Sequence, residues 1–74
     1  LFEPVSDFTA YQIKADIMRN LTDQEPRIQL EKTSVIPDPD RHEYYITLQI
    51  NVPSLDVYGL SLKSLLNNNG YYVL

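Results

Sequence analysis

A chain of 74 residues holds one small domain, whose core removes from water only about 60% of the surface that the unfolded chain exposes. The absence of cysteine excludes disulfides and thiolate metal sites as staples and suits assembly in a reducing cytoplasm. A formal charge of −4, with the six basic residues scattered from Lys14 to Lys63, excludes a phosphate-tracking nucleic-acid surface, and no apolar run approaches the roughly 20 residues of a membrane span.

The first element is an amphipathic helix, predicted over about Ala10 to Asp23. Thr9 and Gln12 have the spacing of a capping box, and Phe8 and Ile13 flank it as a hydrophobic staple. Ala10, Ile13, Ile17 and Leu21 fall on one face, with Lys14, Asp16, Arg19 and Asp23 elsewhere. Pro26 stops the helix, because it has no amide hydrogen and pushes Glu25 out of the α region. From Arg27 the apolar period changes to two. Ile28 and Leu30 share one parity while Thr33 and Val35 share the other, so a bulge near Glu31 and Lys32 is expected.

Pro37-Asp38-Pro39-Asp40-Arg41 is turn chemistry. Beyond it Tyr44, Ile46, Leu48, Ile50 and Val52 alternate with polar neighbours, the pattern of a half-buried antiparallel strand that Pro53 ends. Leu60, Leu62, Leu65 and Leu66 suggest a short helix capped by Ser61 and closed by Asn69-Gly70. Tyr71 to Leu74 then reads as a short strand. The fold class is α+β: one main helix on a small, mainly antiparallel sheet, with a short C-terminal helix or strand. The expected core is Ile13, Ile17, Leu21, Ile28, Ile46, Leu48 and Ile50.

Chemistry is sparse. Glu25 as a glycosidase acid would need a raised pKa and a second carboxylate across a cleft; Arg27 works against the first, and no sequence context supplies the second. Asp38, Asp40, His42 and Glu43 lack the glycine and the ligand spacing of a calcium loop and read as a solvated turn. His42 has no nucleophile beside it. Asn20-Leu21-Thr22 matches a glycosylation sequon but lies inside the helix. No catalytic residue, metal site or cofactor is expected. Tyr71 and Tyr72 divide between strand packing and partner contact, since tyrosine is enriched at interfaces.

Glu25-Pro26-Arg27 places an acid and a base where the chain turns from helix to strand, and arginine there offers a rigid five-donor fork. Together with Leu1-Phe2-Glu3 upstream and Ile28 directly after, it resembles the gene-product-25-like baseplate wedge family of contractile phage tails, which also serves type VI secretion baseplates. The resemblance runs from Leu1 to about Val52. With no initiator methionine, residues 1–74 read as the C-terminal part of a longer protein, a single domain of that family. The resemblance implies a structural, non-enzymatic subunit of the virion tail baseplate, assembled in the host cytoplasm in six copies, one per wedge. Its implied partners are other wedge proteins and tail sheath subunits, whose first ring it templates by strand addition at a sheet edge. Glu25, Pro26, Arg27, Tyr71 and Tyr72 are the implied and candidate partner contacts. The alternatives are a secretion-apparatus subunit, a lysozyme-like domain and a regulatory adaptor of the same fold.

Overall fold

A computed structural model describes residues 4–74. Leu1-Phe2-Glu3, one part of the motif, lies outside the described residues. The order is α1 (Asp7–Gln24), β1 (Gln29–Asp38), β2 (Glu43–Val52), a 3-10 turn (Pro53–Leu55), β3 (Val57–Asn67) and β4 (Gly70–Val73). The strands form one four-stranded antiparallel sheet in the order β1-β2-β3-β4, and α1 lies along β1 on one face. The fold is α+β.

The helix cap lies three residues before the expected one. Ser6 is extended at φ −150°, and its hydroxyl oxygen accepts the Thr9 amide at 3.1 Å. Thr9 is thus already inside the first turn, where Asp7 also complements the positive end of the helix. Phe8 is 70% exposed and points away from any staple. The C-terminal end is as the proline dictates: Glu25 donates its amide to the Leu21 carbonyl at 3.0 Å, and Pro26 ends the ladder.

The bulge expected in β1 is present, with the register slipping between Leu30 and Lys32. It leaves Glu31 as the extra residue and lets Leu30, Thr33, Val35 and Pro37 all stand opposite the inward row Ile50, Leu48, Ile46 and Tyr44 of β2. Tyr44 is the largest fully buried side chain at 1% exposure, and its hydroxyl accepts the Ser6 amide at 3.3 Å, tying the helix start to the sheet. Ala10, Ile46 and Ile50 are also buried. The rest of the expected core is not: Ile13, Ile17, Leu21, Ile28 and Leu48 are only half-buried, because α1 sits over β1 and leaves its inner flank open. Thr33 is buried with no hydrogen-bond partner for its hydroxyl among the described residues.

The tail departs from expectation. Leu60 to Leu66 is no helix but the second half of β3, paired throughout with β2. In a strand Leu60, Leu62, Ser64 and Leu66 form one row, facing Ile50, Leu48, Ile46 and Tyr44; the serine in that row hides the alternation, and leucine's helix propensity misleads. Pairing overrides propensity here. Asn69-Gly70 closes no helix. The Asn67 side chain accepts the Asn69 amide at 2.8 Å to shape a two-residue loop, and Gly70 opens β4 at φ +139°, a backbone region that side chains rarely enter. The terminal strand is found as expected.

Candidate functional site

The Glu25-Pro26-Arg27 corner is built by the helix stop. Pro26 prevents another helical turn, and Ile28 returns its amide to the Glu25 carbonyl at 3.1 Å, so the chain reverses within four residues. Arg27 folds back on Glu25: its Nε donates to Oε1 at 3.0 Å, and its Nη2 lies 3.0 Å from the same oxygen. The pair is exposed, with the arginine side chain 76% accessible, so as a surface ion pair it adds little to stability. Both residues border a shallow depression of about 310 Å³ with Ile28, Val52, Ser54 and Leu55. Leu55, on the 3-10 turn, is 71% exposed there. The corner therefore presents an apolar notch rimmed by one carboxylate and one guanidinium.

Tyr71 and Tyr72 are not part of that corner. Tyr71 stands beside Leu66 and Tyr44, whereas the corner adjoins the Gln29–Asn51 pair at the other end of the sheet. The two ends lie seven positions apart along β2, roughly 24 Å of extended chain. The tyrosines also diverge from each other. Tyr71 shares the helix side with Leu66, while Tyr72 shares the opposite face with Leu65 and Tyr45. On that face Tyr45 donates its hydroxyl to the Glu43 carboxylate at 2.8 Å, and this bond, aided by burial and the neighbouring negative charge, holds the Tyr45 pKa above the ordinary tyrosine value.

Sequence reasoning misses two features. The first is a clamp at Asn51, which is 8% exposed. Its Nδ2 donates to Oε1 of Glu31, the bulged residue of β1, and its Oδ1 accepts the Gly59 amide at 2.8 Å. Asn51 itself sits at a second register slip, between Ile50 and Val52, and Gly59 takes φ +68° there. One side chain thus ties the irregular points of three strands. The polar parity of Asn51, among residues that should face solvent, carries no sequence signal for this.

The second is an incomplete edge. β3 has 11 residues and β4 has 4, so β4 pairs only with Ser64–Asn67, and the Leu74 amide adds one bond to the Lys63 carbonyl at 2.9 Å. No described strand borders β3 beyond that point, from Val57 to Leu62. Lys63 presents its backbone groups outward, and by strand geometry Ser61, two residues away, does the same. The other edge is blunted. β1 carries the bulge at Glu31, the charge of Lys32 and Pro37 without an amide hydrogen, three devices that discourage pairing.

No protein family, curated protein or solved structure matches the chain.

Proposed function

We propose that this protein is a structural subunit of the inner baseplate of a contractile phage tail, present in six copies, one per wedge, and that it templates the first sheath ring by accepting a strand on its sheet. The observation that carries this reading is the open stretch of β3 from Val57 to Leu62 beside the short β4. A terminal arm from a sheath subunit would run in line with β4, antiparallel to β3, and would satisfy outward backbone groups such as those of Ser61 that only water satisfies otherwise. Glu25, Pro26 and Arg27 form a separate contact for a neighbouring wedge protein at the other end of the sheet. Tyr71 and Tyr72 flank the accepting edge on its two faces. The subunit works in the virion after assembly in the host cytoplasm, without cofactor, nucleic acid or membrane.

A hydrolytic role is the weaker reading. Glu25 is engaged by Arg27, whose Nε and Nη2 both lie 3.0 Å from its Oε1. The other carboxylate along the adjoining groove is Asp16. They lie nine positions apart along the helix and its cap, roughly 13 Å of rise, against about 5–9.5 Å in glycosidases.

The edge is tested with Ser61→Pro. The substitution removes an outward amide and no bond to β2, so the thermal midpoint should change little. Amide exchange is then measured with and without a terminal-arm peptide of a contractile-tail sheath subunit. Val57–Leu62 should gain protection in the unsubstituted protein and none in the variant; unchanged protection at saturating peptide sinks strand addition. For the corner, Arg27→Ala should leave the melt within about 0.5 kcal/mol of the parent. It should cost wedge assembly on the order of 2–5 kcal/mol where the guanidinium becomes desolvated against a partner, with Arg27→Lys rescuing only in part. Unimpaired particle assembly with Arg27→Ala would reduce the corner to a helix stop.

A further inference from the structure

The β3–β4 hairpin turns on Asn67-Asn68-Asn69-Gly70, where Asn67 pairs with Gly70 and the two residues between them are exposed. Gly70 takes φ +139°, a region that side chains rarely enter, so the turn requires glycine there. Glycine has a second consequence. With no Cβ, and with open space on the side where one would stand, nothing crowds the Gly70 nitrogen beside the Asn69 side chain. The chain has five asparagines, and the other four each precede a residue that carries a Cβ. Asn20 lies within α1 ahead of Leu21. Asn51 is 8% exposed, precedes the β-branched Val52 and has its carboxamide held by Glu31 and Gly59. Asn67 and Asn68 precede asparagine, and the Asn67 carboxamide accepts the Asn69 amide at 2.8 Å.

We propose that Asn69 is a site of spontaneous modification, a deamidation that loosens β4. Asparagine is one of the thermolabile residues. The Gly70 amide nitrogen gives up its proton to solvent base and attacks Cγ of Asn69. A nitrogen–carbon bond forms, the Cγ–Nδ2 bond breaks, and ammonia leaves after taking a proton from solvent, which closes a five-membered imide. Water then opens the ring with no change of oxidation state. Cleavage at Cγ leaves aspartate; cleavage at the main-chain carbonyl leaves isoaspartate, whose backbone runs through the former side chain and is one atom longer. The hairpin itself gates the reaction. Alternation along the ladder from the Leu74–Lys63 bond makes Asn67 and Gly70 a hydrogen-bonded pair, so the nitrogen is engaged while the hairpin is closed. β4 has four residues and no strand on its far side among the described residues, and a short edge strand opens at low cost. The register of a hairpin is fixed by its turn type and loop length. One more backbone atom there works against the pairing, and without β4 the open border of β3 would run from Val57 to Asn67 rather than to Leu62.

The test incubates the purified protein at neutral pH and in mild alkali, where the amide proton is lost more readily, and follows peptide masses over time. The Asn69 peptide should gain the mass difference between a hydroxyl and an amino group, sooner in alkali and before any other asparagine is converted. A protein isoaspartate methyltransferase should label part of the product. A synthetic peptide of residues 66–73 should react faster than the protein, since it has no closed hairpin. In the isoaspartate fraction the amides of Leu65, Asn67 and Tyr72, which face the β3–β4 border, should exchange about fivefold faster or more, the factor that one net hydrogen bond carries. Those of Ser64 and Leu66, bonded toward β2, should stay protected, a pattern that global unfolding does not give. Asn69→Asp adds the charge without the extra backbone atom and should keep the border protected, and Asn69→Gln should abolish the mass gain. A peptide that reacts while the protein does not, conversion of another asparagine first, or isoaspartate formation with unchanged exchange at Leu65 and Tyr72 would each overturn the proposal.

Discussion

Tyr44→Ala is expected to cost about 3–5 kcal/mol, the range for removing a buried aromatic ring. Tyr44 is 1% exposed and is the point where the helix start meets the sheet. At about 0.05–0.15 kcal/mol per residue, a chain of 74 residues has a total stability of only about 4–11 kcal/mol. The variant should therefore lose a large share of its total stability, as circular dichroism and a urea melt would register. Tyr44→Phe separates the ring from its hydroxyl. It keeps the packing and loses the bond from the Ser6 amide, so a loss near 1 kcal/mol is expected. If Tyr44→Ala melts like the parent, the sheet and helix do not share this core. Ile17→Ala and Leu48→Ala should cost less than Tyr44→Ala, since both positions are half-buried and line an open groove beside α1.

The second large effect is expected at Asn51. Asn51→Ala removes the bonds to Glu31 and to the Gly59 amide together. Glu31 is exposed and water can replace its lost partner, so the loss should be about 1–3 kcal/mol rather than the sum of a charged and a neutral hydrogen bond. Asn51→Asp gives the sharper result. It sets a second carboxylate against Glu31, and like charges that close hold a proton more tightly folded than unfolded. Raised folded pKa values mean that the variant is most stable in acid and loses stability as pH rises through the carboxylate range. A urea midpoint measured across that range checks it; a flat profile would mean that the two side chains part and the clamp does not hold.

The parts of this molecule that were legible in the sequence are those whose signal is local. The helix, its proline stop, the β1 bulge and the clean alternation of β2 each follow from residues within a few positions of one another. The start of the helix was misjudged because Thr9 and Gln12 imitate a capping pair, although Ser6 and Asp7 serve the same end better. β3 was misread because Ser64 stands in a row of leucines, where its burial between Ile46 and Val73 depends on strands brought together by pairing. The candidate site was less legible still. Arg27 and Glu25 could be foreseen as neighbours, but the open half of β3 and the open groove beside α1 arise from mismatched lengths: a long strand against a short one, and one helix over four strands.

The order β1-β2-β3-β4 also governs how the molecule forms. Every strand pairs with its successor across loops of two to four residues, whereas the contact of Ser6 with Tyr44 joins positions 38 apart. Hairpins between neighbouring strands close in about 1–10 μs. Helix docking, which spans the longest loop, then becomes the step that gates the native state. Because the β2–β3 hairpin can close before β4 is added, the sticky border of β3 exists during folding as well as after it. At high concentration the chain is therefore in a race between its own last hairpin and pairing with its neighbours, and speed of closure is its defence against edge-to-edge aggregation.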